Sequence, residues 1–185
     1  MNENAAASLP LPRTVANPKG SGSKCGAILD GGYGMISPEL LRRYPVFAGV
    51  DADQLVILAR TAQEVAAAAG EFFFREGDKL DRMYIVVDGE VAIVTHLPSR
   101  KREVVLSTVG AGGMFAWSGL VPPHEATSSA KAVTACRVIA FDCAQLRARF
   151  DEDHGLGYVM MQRLAQVMRD RISDMHMETI ACLVD

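Results

Sequence analysis

The chain has 185 residues, 49% of them hydrophobic and 22% charged, with a formal net charge of -3. This composition is globular, and the length suits one well-buried core but not two ordinary domains with a linker. The balance offers no global attraction to nucleic acid or to an anionic membrane, and no apolar run approaches the roughly 20 residues of a spanning helix.

Residues 1–36 are rich in Ala, Ser, Pro, Gly and Asn, with GSGSK at 20–24 and GGYG at 31–34. Such a stretch cannot bury enough apolar surface to offset chain entropy, so a mobile tail is expected, followed by one domain over 37–185. MNENAAASLPLPR at the start lacks the charged opening and continuous apolar stretch of a secretion signal. A cytoplasmic protein is therefore expected.

Order is predicted to begin at Ser37, which can cap a short helix carrying Pro38 in its first turn. A second short helix follows Asp51 and carries Leu55, Val56 and Leu58. The hydrophobic period then shortens from 3.6 towards 2. Val65, Phe72 to Phe74, Tyr84 to Val87, Val91 to Val94, Val104 to Leu106 and Val138 to Phe141 form short β-prone runs bounded by Gly, Asp or Pro. Many short strands with glycine turns point to a small barrel or jelly roll. After the acidic residues Asp151 to Asp153, which favour the positive end of a helix dipole, a long helix is predicted from about 155 to 180. Leu164, Met168, Ile172, Met175 and Thr179 recur on it at helical spacing, and Tyr158, Met161 and Val167 widen the stripe. Part of this face can pack on the strands, and the remainder is long enough to pair with a second copy, although Arg171 and Asp174 interrupt it. A homodimer through Leu164, Met168, Ile172 and Met175 is expected.

The order PVFAGVDADQL from Pro45, GEFFFREGD at 70–78, YIVVDGEV at 84–91 and CRVIAFD at 136–142, with glycines at 70, 77, 89 and 112 or 113, resembles the cyclic nucleotide-binding domain of the catabolite-activator and fumarate-nitrate-regulator superfamily. The resemblance runs from about Leu40 to Ile180. It implies an eight-stranded β-roll with flanking helices and a C-terminal dimerisation helix.

Residues 110–132, GAGGMFAWSGLVPPHEATSSAKA, resemble the family's phosphate-binding cassette without its charged residues. Nucleotide-binding members carry Phe-Gly-Glu-Leu-Ala-Leu, whose backbone amides face the cyclic phosphate and whose Glu accepts from the ribose hydroxyl. Phe115, Ala116, Trp117, Ser118, Gly119 and Leu120 occupy that frame here, so Trp117 stands at the carboxylate position. Ala126 or Thr127 stands where the family's phosphate-neutralising Arg is expected, and neither can pair with a phosphate bidentately. Lys131 shares a strand face with Ser129, and Glu125 has the wrong sign. The expected site is therefore Phe115, Ala116, Trp117, Ser118, Gly119, Ala126, Thr127, Ser128 and Ser129. Trp117 is either a flat wall for a ligand or a plug, and Ser118, Thr127, Ser128 and Ser129 supply hydroxyls. This mixture suits a small molecule other than cyclic AMP. By the same resemblance, the positions that present hydroxyls to the base fall near Met175 and His176.

The expectation is a regulatory, ligand-sensing domain with a degenerate cassette, acting through a small-molecule ligand, a partner protein or its own dimer. Retained weak binding of cyclic AMP or cyclic GMP is one alternative. A haem sensor is another, with axial ligands drawn from His96, Cys25, His154 or a methionine; otherwise no cofactor is expected. Cys25, Cys136, Cys143 and Cys182 have no metal or redox spacing, and no catalytic constellation stands out. Transcription factors of the family continue into a helix-turn-helix module, whereas only ACLVD follows Ile180. Direct sequence-specific DNA binding is therefore not expected.

Overall fold

The computed structural model describes residues 36–97 and 102–184. The expected tail lies outside them except for Ile36, which is buried in the core. Helix α1 (Pro38–Leu41) starts where Ser37 Oγ accepts from the Leu40 amide at 3.1 Å. Helix α2 (Ala52–Arg60) opens with a reciprocal capping box. Asp51 Oδ1 accepts from the Gln54 amide at 2.8 Å, and Gln54 Oε1 accepts from the Asp51 amide at 3.2 Å.

Eight strands follow: β1 (Ala62–Ala67), β2 (Phe72–Phe74), β3 (Arg82–Asp88), β4 (Val91–Leu97), β5 (Arg102–Val109), β6 (Met114–Phe115), β7 (Ser129–Ala132) and β8 (Cys136–Asp142). They form two antiparallel sheets, ordered β1-β8-β3-β6 and β2-β7-β4-β5. This is the β-roll that the resemblance implied. Strand β6, absent from the sequence reading, has only two residues, and β7, the strand on which Ser129 and Lys131 were expected to share a face, has four; the two flank the cassette turn.

Strand alternation divides the interior into two cores. From β3, Tyr84 and Val86 enter the space between the sheets while Met83 and Ile85 face the helices; from β8, Val138 and Ala140 go inward while Ile139 and Phe141 go outward. The first sheet is thus covered on both faces, which is why MYIVV and VIAF read as continuous apolar runs rather than alternating ones. Between β3 and β4, Gly89 has φ +93, and a Cβ there would lie 2.5 Å from the Ala135 carbonyl oxygen and 2.9 Å from Cys136 Cα. Only glycine fits both the left-handed backbone and the close approach.

Sequence periodicity predicts a single long helix at the C-terminal end. Two are present. Helix α3 (Cys143–Glu152) is capped by Asp142, and α4 runs His154–Val184. Helix α3 escapes the periodicity reading because only Cys143 and Leu146 of its residues are buried, too few for a stripe. Asp153 then caps α4, accepting from the Leu156 amide at 2.9 Å and from Gln54 Nε2 at 2.8 Å. This second contact ties α2 to the start of α4.

Candidate functional site

The cassette begins on β6, at the edge of the first sheet. Its two side chains part company: Met114 joins the core beneath the helices, and Phe115, fully enclosed, joins the core of the roll. Phe115 lies in a ring cluster, stacked on Tyr84 at 5.0 Å between centroids, edge-on to Phe73 at 5.0 Å and beside Phe74 at 6.3 Å. Aromatic surface therefore fills the space between the sheets next to the cassette.

Ala116 follows with φ 62, ψ 23 and opens the 3₁₀ turn Trp117–Leu120. A left-handed residue is needed to swing the chain from strand to turn, and the resemblance has glycine at this position; alanine holds it at some cost in strain. The turn closes with Gly119 N–H donating to the Ala116 carbonyl at 3.1 Å. Amides in a first helical turn have no partner within that helix, so those of Trp117 and Ser118 are the ones a cassette would turn towards an anion.

Trp117 does not share the roll core with Phe115, Ala116 and Ala126. It is half-buried against the core between sheet and helices. Its side chain thus faces the helical side, because after a left-handed residue the alternation of the preceding strand no longer applies. Ser118 is half-exposed and Gly119 is buried.

After the turn, His124 has φ 61, and its Nδ1 is enclosed without a hydrogen-bond partner among the described residues. Ala126 is fastened on both sides, its amide donating to Asp78 O at 2.9 Å and its carbonyl accepting from the Gly77 amide at 2.8 Å. Its methyl is buried in the roll core. Thr127 is exposed, Ser128 is half-buried, and Ser129 Oγ accepts from the Glu76 amide at 3.0 Å. Lys131 lies 3.4 Å from Glu103 and over the Phe72 ring, whereas Ala130 and Ala132 of the same strand point into the roll. Lys131 therefore belongs to the outer face and brings no charge inside.

Two arginines that sequence reasoning does not assign to the site hold the ends of the cassette. Arg171 of α4 donates to the Met114 carbonyl, and Arg147 of α3 donates to the Gly119 carbonyl. Neither has a carboxylate within ion-pair distance among the described residues. Burial pulls the pKa of Arg171 below its ordinary value. Helix α4 also touches β5, so it packs against an edge strand of each sheet. The sequence did carry a signal for this: a cation interrupting the apolar stripe of the long helix.

Of the expected dimer residues, Leu164 is buried within its own chain, while Met168 and Ile172 are exposed together with Tyr158 and Met177. The side chain of Met175 lies outside the described set, and His176 is exposed. His96 on β4 and His154 on α4 are both exposed, on separate elements, and Cys25 lies outside the described residues. Cys136 and Cys143 are buried free thiols. Burial raises the pKa of both, that of Cys143 to about 12, so neither is a ready nucleophile. Among the described residues no group of three metal-ligating side chains occurs, and no helix is long and apolar enough to cross a membrane.

Comparison with known proteins places residues 64–153 in the family described as Cyclic nucleotide-binding domain. The CRP-like cAMP-activated global transcriptional regulator of Mycobacterium tuberculosis is 30% identical over 131 residues. That alignment takes in 71% of this chain and 58% of the regulator, so the chain spans little more than half the length of that relative. Among solved structures, a protein from Geobacter metallireducens GS-15 described as cyclic nucleotide-binding superposes with a TM-score of 0.68 at 32% identity, covering 75% of this chain and 99% of that one. The N-terminal domain of a transcriptional regulator from Streptomyces coelicolor A3(2) gives 0.59 at 29% identity, covering 70% and 92%.

Proposed function

The chain belongs to the cyclic nucleotide-binding domain family, and from that premise we propose that it is a regulatory, ligand-sensing domain whose cassette has lost the means to bind cyclic AMP tightly. The observation that carries this reading is that, of the two positions at which the resemblance expects the phosphate-pairing arginine, Ala126 is a methyl buried in the roll and Thr127 is exposed. An enclosed anion without such a partner is strongly disfavoured. The rest of the roll core is apolar, and Trp117 replaces the ribose-binding carboxylate with a side chain turned to the helices. Of the expected hydroxyls, Thr127 is exposed and Ser129 lies on the outer face with Lys131, leaving Ser118 and Ser128 beside apolar walls, a lining that suits a small molecule other than cyclic AMP.

The output of such a domain is protein contact rather than chemistry. The exposed Tyr158, Met168 and Ile172 on α4 offer a face for a second copy, and Ala165, Met168, Ile172 and Met175 keep the alternating spacing of three and four that a parallel helix pair uses. We therefore read the protein as a cytoplasmic homodimer that signals through a partner protein or through its own assembly. A second reading, a retained but weak cyclic nucleotide site, is favoured by Arg171, a cation held beside the cassette by its bond to the Met114 carbonyl.

Calorimetric titration with cyclic AMP tests the reading. The expected Kd is about millimolar or weaker, which corresponds to only about 4 kcal/mol; a tight, saturable complex overturns the degenerate-cassette reading. Installing Ala126→Arg together with Trp117→Glu should tighten cyclic AMP by roughly tenfold or more. If the folded double variant gains nothing, those two positions are not what limits binding.

A further inference from the structure

The first turn of α3 grips the cassette at a single residue. Cys143, fully buried, lies so close beneath Gly119 that a Cβ there would stand 2.8 Å from the Cys143 Sγ, 3.1 Å from the Leu80 carbonyl oxygen and 3.3 Å from Leu80 Cβ. Arg147 is four residues further on, hence on the same helix face, and its guanidinium donates to the Gly119 carbonyl. The thiol thus supports Gly119 from below while the guanidinium holds its oxygen.

That carbonyl belongs to the last part of the 3₁₀ turn, where oxygens lack intrahelical partners and a cation is favourable. Arg147 has no carboxylate in ion-pair range among the described residues, so its charge is spent on no surface pair. Five donors in a planar fork suit one carbonyl held in one direction. Packing alone would have needed only an apolar side chain at this position. The turn is a single short 3₁₀ segment, and the bonds at its two ends, from Gly119 N–H to Ala116 O at 3.1 Å and from Val121 N–H to Ser118 O at 3.3 Å, are of ordinary length or longer, so an external tie has much to determine.

We infer that Arg147 is the positioning residue of the cassette: by holding the Gly119 carbonyl from α3 it sets the direction in which the amides of the turn point. This rests on the reading of the cassette as the ligand site, and the experiment separates the two. Amide hydrogen exchange is measured by NMR for wild type, Arg147→Met and Arg147→Lys, each checked for an unchanged melting temperature. In Arg147→Met, exchange at Gly119 and Val121 should accelerate roughly tenfold while amides of β3 and β8 keep wild-type rates. Arg147→Lys, which retains a donor, should restore most of the protection. Unchanged exchange at the two amides, or an equal acceleration across the whole domain, overturns the inference.

Cyclic AMP as probe supplies the second arm. A wild-type response that weakens roughly tenfold in Arg147→Met supports the positioning role, and equal affinity in the two proteins overturns it. A wild type with no response to cyclic AMP or to other small molecules counts against the ligand-site reading, and the exchange arm still decides whether Arg147 orders the turn.

Discussion

Substituting Gly119 by alanine tests whether the cassette is seated on α3 by direct contact. Gly119 is not among the residues of positive φ, so the penalty is steric rather than conformational. The new methyl meets Cys143 Sγ at 2.8 Å and Leu80 at 3.1 Å and 3.3 Å, and Cys143 is itself fully enclosed, with nowhere to swing. Overpacking of this kind costs about 1–3 kcal/mol, offset in part by the lower entropy of an unfolded chain with alanine in place of glycine. A net loss of about 1–2 kcal/mol is expected. Cys143→Ala alone leaves a small void and should cost about 1 kcal/mol. Combined, the two changes relieve each other, because the introduced methyl occupies space vacated by the sulfur. The double variant should be no less stable than Cys143→Ala alone, a coupling of about 1–2 kcal/mol. Urea denaturation with linear extrapolation measures all four proteins. Additivity within about 0.5 kcal/mol would refute the claim that Gly119 and Cys143 are in contact.

Two further outcomes follow from the helices. Ile172→Glu places a charge on the exposed face of α4 and should convert a dimer to a folded monomer in light scattering, with a melting temperature that no longer depends on protein concentration; a wild type that is already monomeric at high concentration refutes the proposed pairing. Asp153 is held below the usual carboxylate pKa, chiefly by the Leu156 amide and then by Gln54. A depressed folded value means that this contribution is fully present above the unfolded pKa of about 3.9 and is lost as pH falls through the lower folded value. The melting-temperature difference between wild type and Asp153→Ala should therefore be constant near neutrality and close only in that acidic window. A difference that instead closes between neutrality and mild acidity would mean that another group holds the α2–α4 junction.

Much of this domain is legible in its sequence because the features concerned are local. Ser37 and Asp51 announce their helices through side chains that satisfy amides three residues on, and the glycines at 70, 77 and 89 all take the positive φ that marks a turn. The two-residue period is visible where a strand has one wet face. It fades in β3 and β8, whose runs are buried on both faces, and there the sequence marks a strand without saying which side chain faces which core. The loss of charge from the cassette is also readable, since Ala126 cannot pair with a phosphate wherever it points. What only the tertiary structure decided are relations between distant elements: that α3 exists as a separate helix under the cassette, that Trp117 turns to the helical core while Phe115 fills the roll, and that Arg147 and Arg171 reach the carbonyls of Gly119 and Met114 across 28 and 57 residues of chain. Periodicity reports how much of an element is buried and on which of its own faces. It carries no record of the neighbour that does the burying, because any apolar surface of suitable shape satisfies the same pattern, and the choice among them is made only when the sheets and helices pack together.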